Sequence, residues 1–253
     1  MKDCFPGIVG WMLAVVLAIG PFAAIAGDID EAFGAALGRG DVAGAVELLD
    51  TGANPNTRLA YGKTALMAAA KAGASELVHR LIQRGAEVNA RNDNGGTALM
   101  FAAIPGHLDT MALLVEHGAD VNAFGHFNWT ALMVAASKGH GDSVRMLLRY
   151  GADPNVQDTY GWTPLMRAVY GNKQDAVSAL LGHERLNLEA RDERGATALH
   201  VAVERGRSAL VAQLLVYGAD PGSIDDAGRN LLHKASVQGY DDIASMLEAR
   251  KVH

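Results

Sequence analysis

The chain has 253 residues, 49% apolar and 20% charged, with a formal charge of −6 at neutral pH and one cysteine, Cys4. Such a composition suits a soluble protein able to bury a core and excludes a disordered or disulfide-stapled chain. The acidic balance, with no Lys/Arg-rich stretch, argues against nucleic acid as a partner, because phosphate neutralisation needs a basic face.

In chain order, the first 27 residues stand apart from the rest. Lys2 and the amino terminus are positive, Ile8 to Ile19 is an uncharged apolar run, and Gly20-Pro21 breaks it. Ala24-Ile25-Ala26 then offers the small residues that signal peptidase requires, with Gly27 following the cut, so residues 1–26 read as a signal peptide. The competing reading is an uncleaved anchor, since no charge lies between Asp3 and Asp28. Cleavage would leave residues 27–253 free of the membrane. It would also remove Cys4, so the exported chain would depend on packing rather than on cross-links.

Residues 28–63 keep part of a pattern that becomes regular afterwards. Thr64, Thr97, Thr130 and Thr163 each open a T-[AP]-L-M tetrad, Thr197 opens TALH and Asn230 opens NLLH, at spacings of 33, 33, 33, 34 and 33. A second motif stays in phase with the first: GANPN at 52–56, GAEVN at 85–89, GADVN at 118–122, GADPN at 151–155 and GADPG at 218–222. Periodicity of this length means stacked repeats.

Each period predicts a helix, a tight turn, a second helix and a loop. The threonine caps the first, Ala-rich helix through its hydroxyl, and Gly73, Gly106, Gly139, Gly206 and Gly239 are placed to end it in a left-handed turn. The second helix carries a narrow apolar stripe, as in Val78, Leu81, Ile82 and Val144, Leu147, Leu148. Met111, Leu114, Val115 and Val211, Leu214, Leu215 repeat it. A stripe so narrow must be covered by the neighbouring repeat. The single extra residue near 182–190 falls in a loop between repeats, where it is easily absorbed.

The stretches GWTPLMRAVYGN, NWTALMVAASKGHGDSVRMLLRYGADPN and GATALHVAVERGRSALVAQLLVYGADP resemble the ankyrin repeat family, over nearly all of 28–253. The resemblance implies an all-α solenoid of about seven helix-turn-helix units. Their approximate bounds are 28–63 as an N-terminal cap, 64–96, 97–129, 130–162, 163–196, 197–229 and 230–253 as a C-terminal cap. Glu248 stands where earlier repeats have Ile82 and Leu148, which gives the last unit the polar outer face of a cap. Met67, Met100, Met133 and Met166 replace a histidine that in the family bonds between turns. Only His200 and His233 match, so the Met joints should rely on apolar contact.

In the family, the residues just before the threonine and those late in the first helix line the concave side and carry specificity. Here they are unusually aromatic. Tyr61, Phe101, Ile104, His126, Phe127, Trp129, Tyr160, Trp162, Arg167 and Tyr170 are the candidate partner-binding residues, centred on Phe127, Trp129, Tyr160 and Trp162. The alternative is that neighbouring aromatics stack on one another and only stiffen the turns. Asn128 occupies a slot held elsewhere by glycine, which predicts a left-handed backbone.

Other chemistry finds no support in the sequence. The nine histidines are scattered, no H-E-x-x-H or clustered Cys/His spacing suggests a metal, and no cofactor motif is present. GRGDVA at 38–43 imitates part of a nucleotide loop but lacks a preceding strand, and no G-x-S-x-G elbow occurs. The expectation is a non-catalytic, periplasmic protein-binding module, with an unrecognised enzymatic activity as the alternative of a different class. Resemblance to exported bacterial members implies two roles: an accessory factor in peroxide defence, or an immunity protein neutralising a toxin enzyme such as a lipase. An acidic concave face would suit capping of a basic enzyme, and a Met-rich stack would suit holding a client.

Overall fold

The computed structural model describes residues 20–251, with side chains placed from 28 to 250. The apolar run at 8–19 therefore lies outside the described residues. Among the described residues there are fourteen α-helices, which fall into seven antiparallel pairs, and two short 3-10 turns at Ala60–Gly62 and His126–Asn128. The inner members are α1 (Gly20–Arg39), α3 (Ala65–Ala72), α5 (Ala98–Ala103), α7 (Ala131–Lys138), α9 (Pro164–Tyr170), α11 (Ala198–Glu204) and α13 (Leu231–Val237). The outer members are α2 (Val42–Asp50), α4 (Ser75–Gln83), α6 (Leu108–Glu116), α8 (Gly141–Arg149), α10 (Gln174–Leu181), α12 (Ser208–Val216) and α14 (Asp241–Lys251). Inner helices touch the next inner helix and outer helices the next outer one, which is a solenoid.

Local chemistry sets these boundaries. The hydroxyls of Thr64, Thr97, Thr130, Thr163 and Thr197, and the amide oxygen of Asn230, accept the N–H three residues on, as N-caps should. Gly73 and Gly139 are left-handed C-caps, and Gly106, Gly206 and Gly239 take positive φ just beyond their caps. The fifth helix pair differs: Gly171 is right-handed and Asn172 supplies the left-handed residue at φ 53°. At Gly73 close approach matters as much as φ, because a Cβ there would lie 2.8 Å from the His107 ring of the next repeat.

The apolar stripes are covered as expected. Val78, Leu81, Met111, Leu114, Val144, Leu147, Val211 and Leu214 are fully buried. Glu248 is exposed on α14, in keeping with a capping unit. Asp41, within the sequence that imitates a nucleotide loop, is the N-cap of α2 and accepts from Gly44 N at 2.9 Å. α1 runs through Ala24, Ala26 and Gly27, so the expected cleavage point falls within its backbone. No helix among the described residues is long and apolar enough to cross a membrane.

The asparagine that ends each GA-x-x-N motif joins successive repeats. Asn122 donates from Nδ2 to the Gly151 carbonyl at 3.1 Å and accepts from Asp153 N at 2.9 Å. Asn56, Asn89 and Asn155 make the same two bonds to the repeats that follow them. Each satisfies backbone groups that a loop would otherwise leave to water.

The Met-for-His positions behave as expected in part. Met133 and Met166 are fully buried, while Met67 also accepts a long bond from Thr64 N through its sulfur, at 3.4 Å. The expectation that His200 bonds between turns is corrected: its Nδ1 meets Thr197 within its own cap, and its buried Nε2 has no partner among the described residues. Burial, followed by the charge of Lys234, holds the His200 pKa below the ordinary imidazole value. A buried neutral histidine of this kind contributes stability that is complete above the unfolded-state pKa of about 6.5 and declines as pH falls below it, levelling off beneath the folded pKa. We expect that slope to shrink in His200→Met, as measured by urea unfolding between pH 8 and pH 5.

Candidate functional site

The loops between repeats project as fingers, and two kinds are present. At 91–97, 157–163, 191–197 and 224–230 an Asn or Asp five residues before the capping residue holds the turn from inside. Asn92 accepts from Asn94 N and Gly96 N, Asp158 from Tyr160 N and Trp162 N, Asp192 from Arg194 N and Ala196 N, and Asp225 from Ala227 N and Arg229 N. In those fingers only the glycine is left-handed. At 58–64 and 124–130 the slot holds Leu59 and Gly125, which have no carboxylate or amide to offer. There both central residues turn left-handed: Tyr61 (φ 60°) with Gly62, and Phe127 (φ 58°) with Asn128 (φ 58°). Consecutive positive φ values are the mark of a type I′ turn, and an aromatic residue in that conformation is strained.

The left-handed Asn128 bears out the sequence expectation. The left-handed Tyr61 and Phe127 were not anticipated. Tyr61 is 81% exposed, so little packing opposes relief of its strain. Tyr61→Gly should therefore stabilise the fold by about 0.5–1 kcal/mol after allowing for glycine's greater freedom when unfolded, a gain readable in urea unfolding.

The fingers are tied to one another by backbone bonds. His126 N donates to Asn94 O at 2.7 Å, Thr159 N to Phe127 O at 3.1 Å and Glu193 N to Tyr160 O at 3.3 Å. This ladder presents the aromatics as a row. Phe127 and Tyr160 lie 6.0 Å apart between ring centroids, and His126 sits 3.9 Å from Phe127.

Beneath the tips, side chains from fingers and inner helices alternate. The Arg167 guanidinium of α9 lies 4.9 Å from the Trp129 ring centroid and 4.7 Å from that of Trp162. Trp162 meets Tyr170 edge-on at 5.3 Å, and Arg205 lies 3.8 Å above Tyr170. Arg167 is fixed from below by Asp158, whose side chain is wholly buried. Its Nε donates to Asp158 Oδ2 at 2.7 Å, and its Nη2 bonds to the same oxygen.

The structure thus brings His126, Phe127, Trp129, Tyr160, Trp162, Arg167 and Tyr170 into one continuous surface. Phe101 belongs to a neighbouring contact, with the Lys63 ammonium 5.7 Å from its ring. Burial, then the charge of Lys71, lowers the Lys63 pKa. Ile104 is partly exposed at the end of α5, and its carbonyl accepts from His140 Nε2 at 3.0 Å. Tyr61 stands alone at its tip. Stacking among the aromatics is therefore real, yet Phe127, Tyr160 and Tyr170 stay 47%, 52% and 44% exposed.

The acidic concave face that would suit capping of a basic enzyme is not found on the inner helices beyond α1. The inner helices from α3 to α13 carry Lys71, Lys138, Arg167 and Lys234 against Glu204 alone, a formal +3. The outer helices from α2 to α14 carry ten carboxylates against five basic side chains, a formal −5. The carboxylates at the feet of the fingers are buried and consumed by turn geometry. At Asp225 burial pushes the pKa up, but the Arg229 backbone N–H, its guanidinium and the Ala227 N–H outweigh that and hold it below the usual carboxylate value.

Two cavities border this architecture. A cleft of about 310 Å³ opens among Tyr160, Trp162, Arg167, Asp192, Glu193 and Arg194. A shallow groove of about 1020 Å³ runs over α6, α8 and α10 past Leu108, Ala112, Met146 and Tyr150, on the opposite side.

A family model described as ankyrin repeats, in three copies, matches residues 33–125, 123–192 and 184–252. The chain belongs to the ankyrin repeat family. Ankyrin repeats are protein–protein interaction modules. Individual relatives match over shorter stretches. Human ARF GTPase-activating protein GIT1 is 44% identical over 55 residues, 22% of this chain and 7% of that protein. E3 ubiquitin-protein ligase KEG of Arabidopsis thaliana is 37% identical over 57 residues, 22% of this chain and 4% of that protein. A Neisseria meningitidis protein named for its ankyrin repeats is 36% identical over 63 residues, 25% of each chain. The matches thus span a minor part of each relative's length, and what they have in common with this chain is the ankyrin repeat.

Proposed function

We propose that this ankyrin repeat protein is an exported, non-catalytic module that holds a protein partner in the periplasm against the surface around Phe127, Trp129, Tyr160 and Trp162. It would act there as an accessory factor to an enzyme of peroxide defence. The observation that carries the binding role is the row of half-exposed aromatics on adjacent, mutually bonded fingers, with Phe127 held in a strained backbone conformation. Large rigid rings that lose little entropy on contact, flanked by arginine, supply hot-spot chemistry. Strain kept at an exposed position points to a use other than stability.

The test is affinity capture of a partner by the tagged mature chain from periplasm, set beside capture by a Trp129→Ala/Trp162→Ala variant. Loss of capture with an unfolding midpoint within a few degrees of the parent supports the reading. Lost stability with intact capture leaves the aromatics a purely structural role and ends it. A captured catalase-type enzyme supports the accessory role, whereas a lipase-type toxin would replace it with neutralisation. Export is checked separately: an exported chain whose first residue is Gly27 supports cleavage, and retention of residues 1–26 in the membrane fraction contradicts it.

A further inference from the structure

We propose that the inner face takes an acidic segment of its protein partner, with carboxylates set against Lys71, Lys138 and Arg205 and apolar side chains laid on the Trp129–Trp162–Tyr170 surface. This rests on the protein-binding reading and adds the chemistry of the partner to it. The first argument is segregation of charge. A chain of net charge −6 places a formal +3 on inner helices α3 to α13, or +1 with α1 and its Asp28, Asp30, Glu31 and Arg39 counted, and a formal −5 on its outer helices, so the side bearing the aromatics is the more favourable one for carboxylates.

The second argument is which of the charges are free. Arg167 is bound to Asp158, and Lys234 to Glu204 at 3.3 Å. Among the described residues no carboxylate lies within ion-pair distance of Lys71, Lys138 or Arg205, and all three are exposed. Arg205 is also stacked on Tyr170, which orders its guanidinium before a partner arrives.

The third argument is the distribution of acids along the tips. Four residues before the cap, the flanking fingers carry exposed Asp93, Glu193 and Asp226, while the two aromatic fingers carry His126 and Thr159. The tips of the two aromatic fingers thus carry no carboxylate at this position, and the nearest, Glu193, shares the cleft beside Tyr160 and Trp162 with the guanidinium groups of Arg167 and Arg194. Asp158, Asp192 and Asp225 present no carboxylate there either, because they are buried beneath the turns and accept backbone N–H bonds.

The experiment selects binders from a phage-displayed library of random 12-residue peptides on the folded chain. The winners are then measured as synthetic peptides against three proteins: the parent, Lys138→Glu/Arg205→Glu and Trp129→Ala/Trp162→Ala. Both charge-reversed positions are exposed, so that variant folds, and circular dichroism verifies both variants. The proposal expects enriched peptides of net negative charge that contain aromatic or leucine residues. It further expects at least a tenfold loss of affinity on charge reversal, and a similar loss between 50 and 300 mM salt. Enrichment of neutral or basic peptides, acidic peptides indifferent to charge reversal, or no enrichment at all overturns it. Tighter binding of a single-stranded oligonucleotide at the same face would overturn it in favour of nucleic acid. Binders lost with the tryptophans but indifferent to charge reversal leave the protein-binding reading standing and remove only the acidic partner, whereas binders indifferent to both variants remove both.

Discussion

Asp158→Ala is expected to lower the unfolding free energy by about 3 kcal/mol, although the residue lies in a loop. Its Oδ1 accepts the N–H groups of Tyr160 and Trp162 at 2.9 and 3.0 Å, and its Oδ2 binds Arg167, whose side chain is itself 19% exposed. Alanine leaves two turn amides and one largely desolvated guanidinium without a partner. Arg167 also spaces the two indoles, so its release would loosen the aromatic surface with the turn. Asp158→Asn isolates the ionic part, because asparagine already holds the same turn at Asn92. That variant should lose only about 1–1.5 kcal/mol, the worth of a charge-assisted bond above a neutral one. Equal losses for Ala and Asn in urea unfolding would place the whole effect in the ion pair and none in the turn.

Leu147→Ala should remove about 3–4 kcal/mol, the range for a leucine that is wholly enclosed. Leu147 has no exposed surface and sits on α8, which touches α7 of its own repeat and both α6 and α10 in the neighbours. A cavity there withdraws contact from three repeats at once, so the loss should spread along the stack and broaden the unfolding transition. Val216, the last residue of the equivalent outer helix α12 but 66% exposed, is the control. Val216→Ala should change stability by less than about 0.5 kcal/mol. A similar loss at both positions would mean that neighbouring repeats do not cover the stripes.

The stripes, the caps and the repeat length could be read from sequence because each is a local rule that recurs. Thr130 caps α7 for the same reason that Thr64 caps α3, and six copies reinforce one reading. The aromatics of the fingers could be singled out because they break that repetition. What stayed hidden depends on partners distant in the chain. Asn122 is visibly recurrent, but nothing local says that it bonds 29 and 31 residues ahead. Arg167 and Asp158 are nine residues apart, on different elements, and neither spacing nor periodicity pairs them.

The left-handed Tyr61 and Phe127 carry a weak sequence signal, the absence of Asp or Asn at Leu59 and Gly125. It becomes readable only once Asp158 and its counterparts are seen holding the other turns. The sign of the inner face could not be read from net charge, which averages over two surfaces that the fold separates. Lys138 and Asp142 are four residues apart, yet one lies on an inner helix and the other on an outer one. His200 was expected to reach another turn, but its ring is taken up by the cap it sits in.

The account rests on the inner face, not the outer groove, being the surface that a partner occupies. Hydrogen–deuterium exchange of the chain with and without its captured partner reads this residue by residue. It should show slowed exchange over 124–130 and 157–171, with α6, α8 and α10 unchanged. Protection confined to the groove over those three outer helices, with the fingers exchanging as in the free chain, would contradict it.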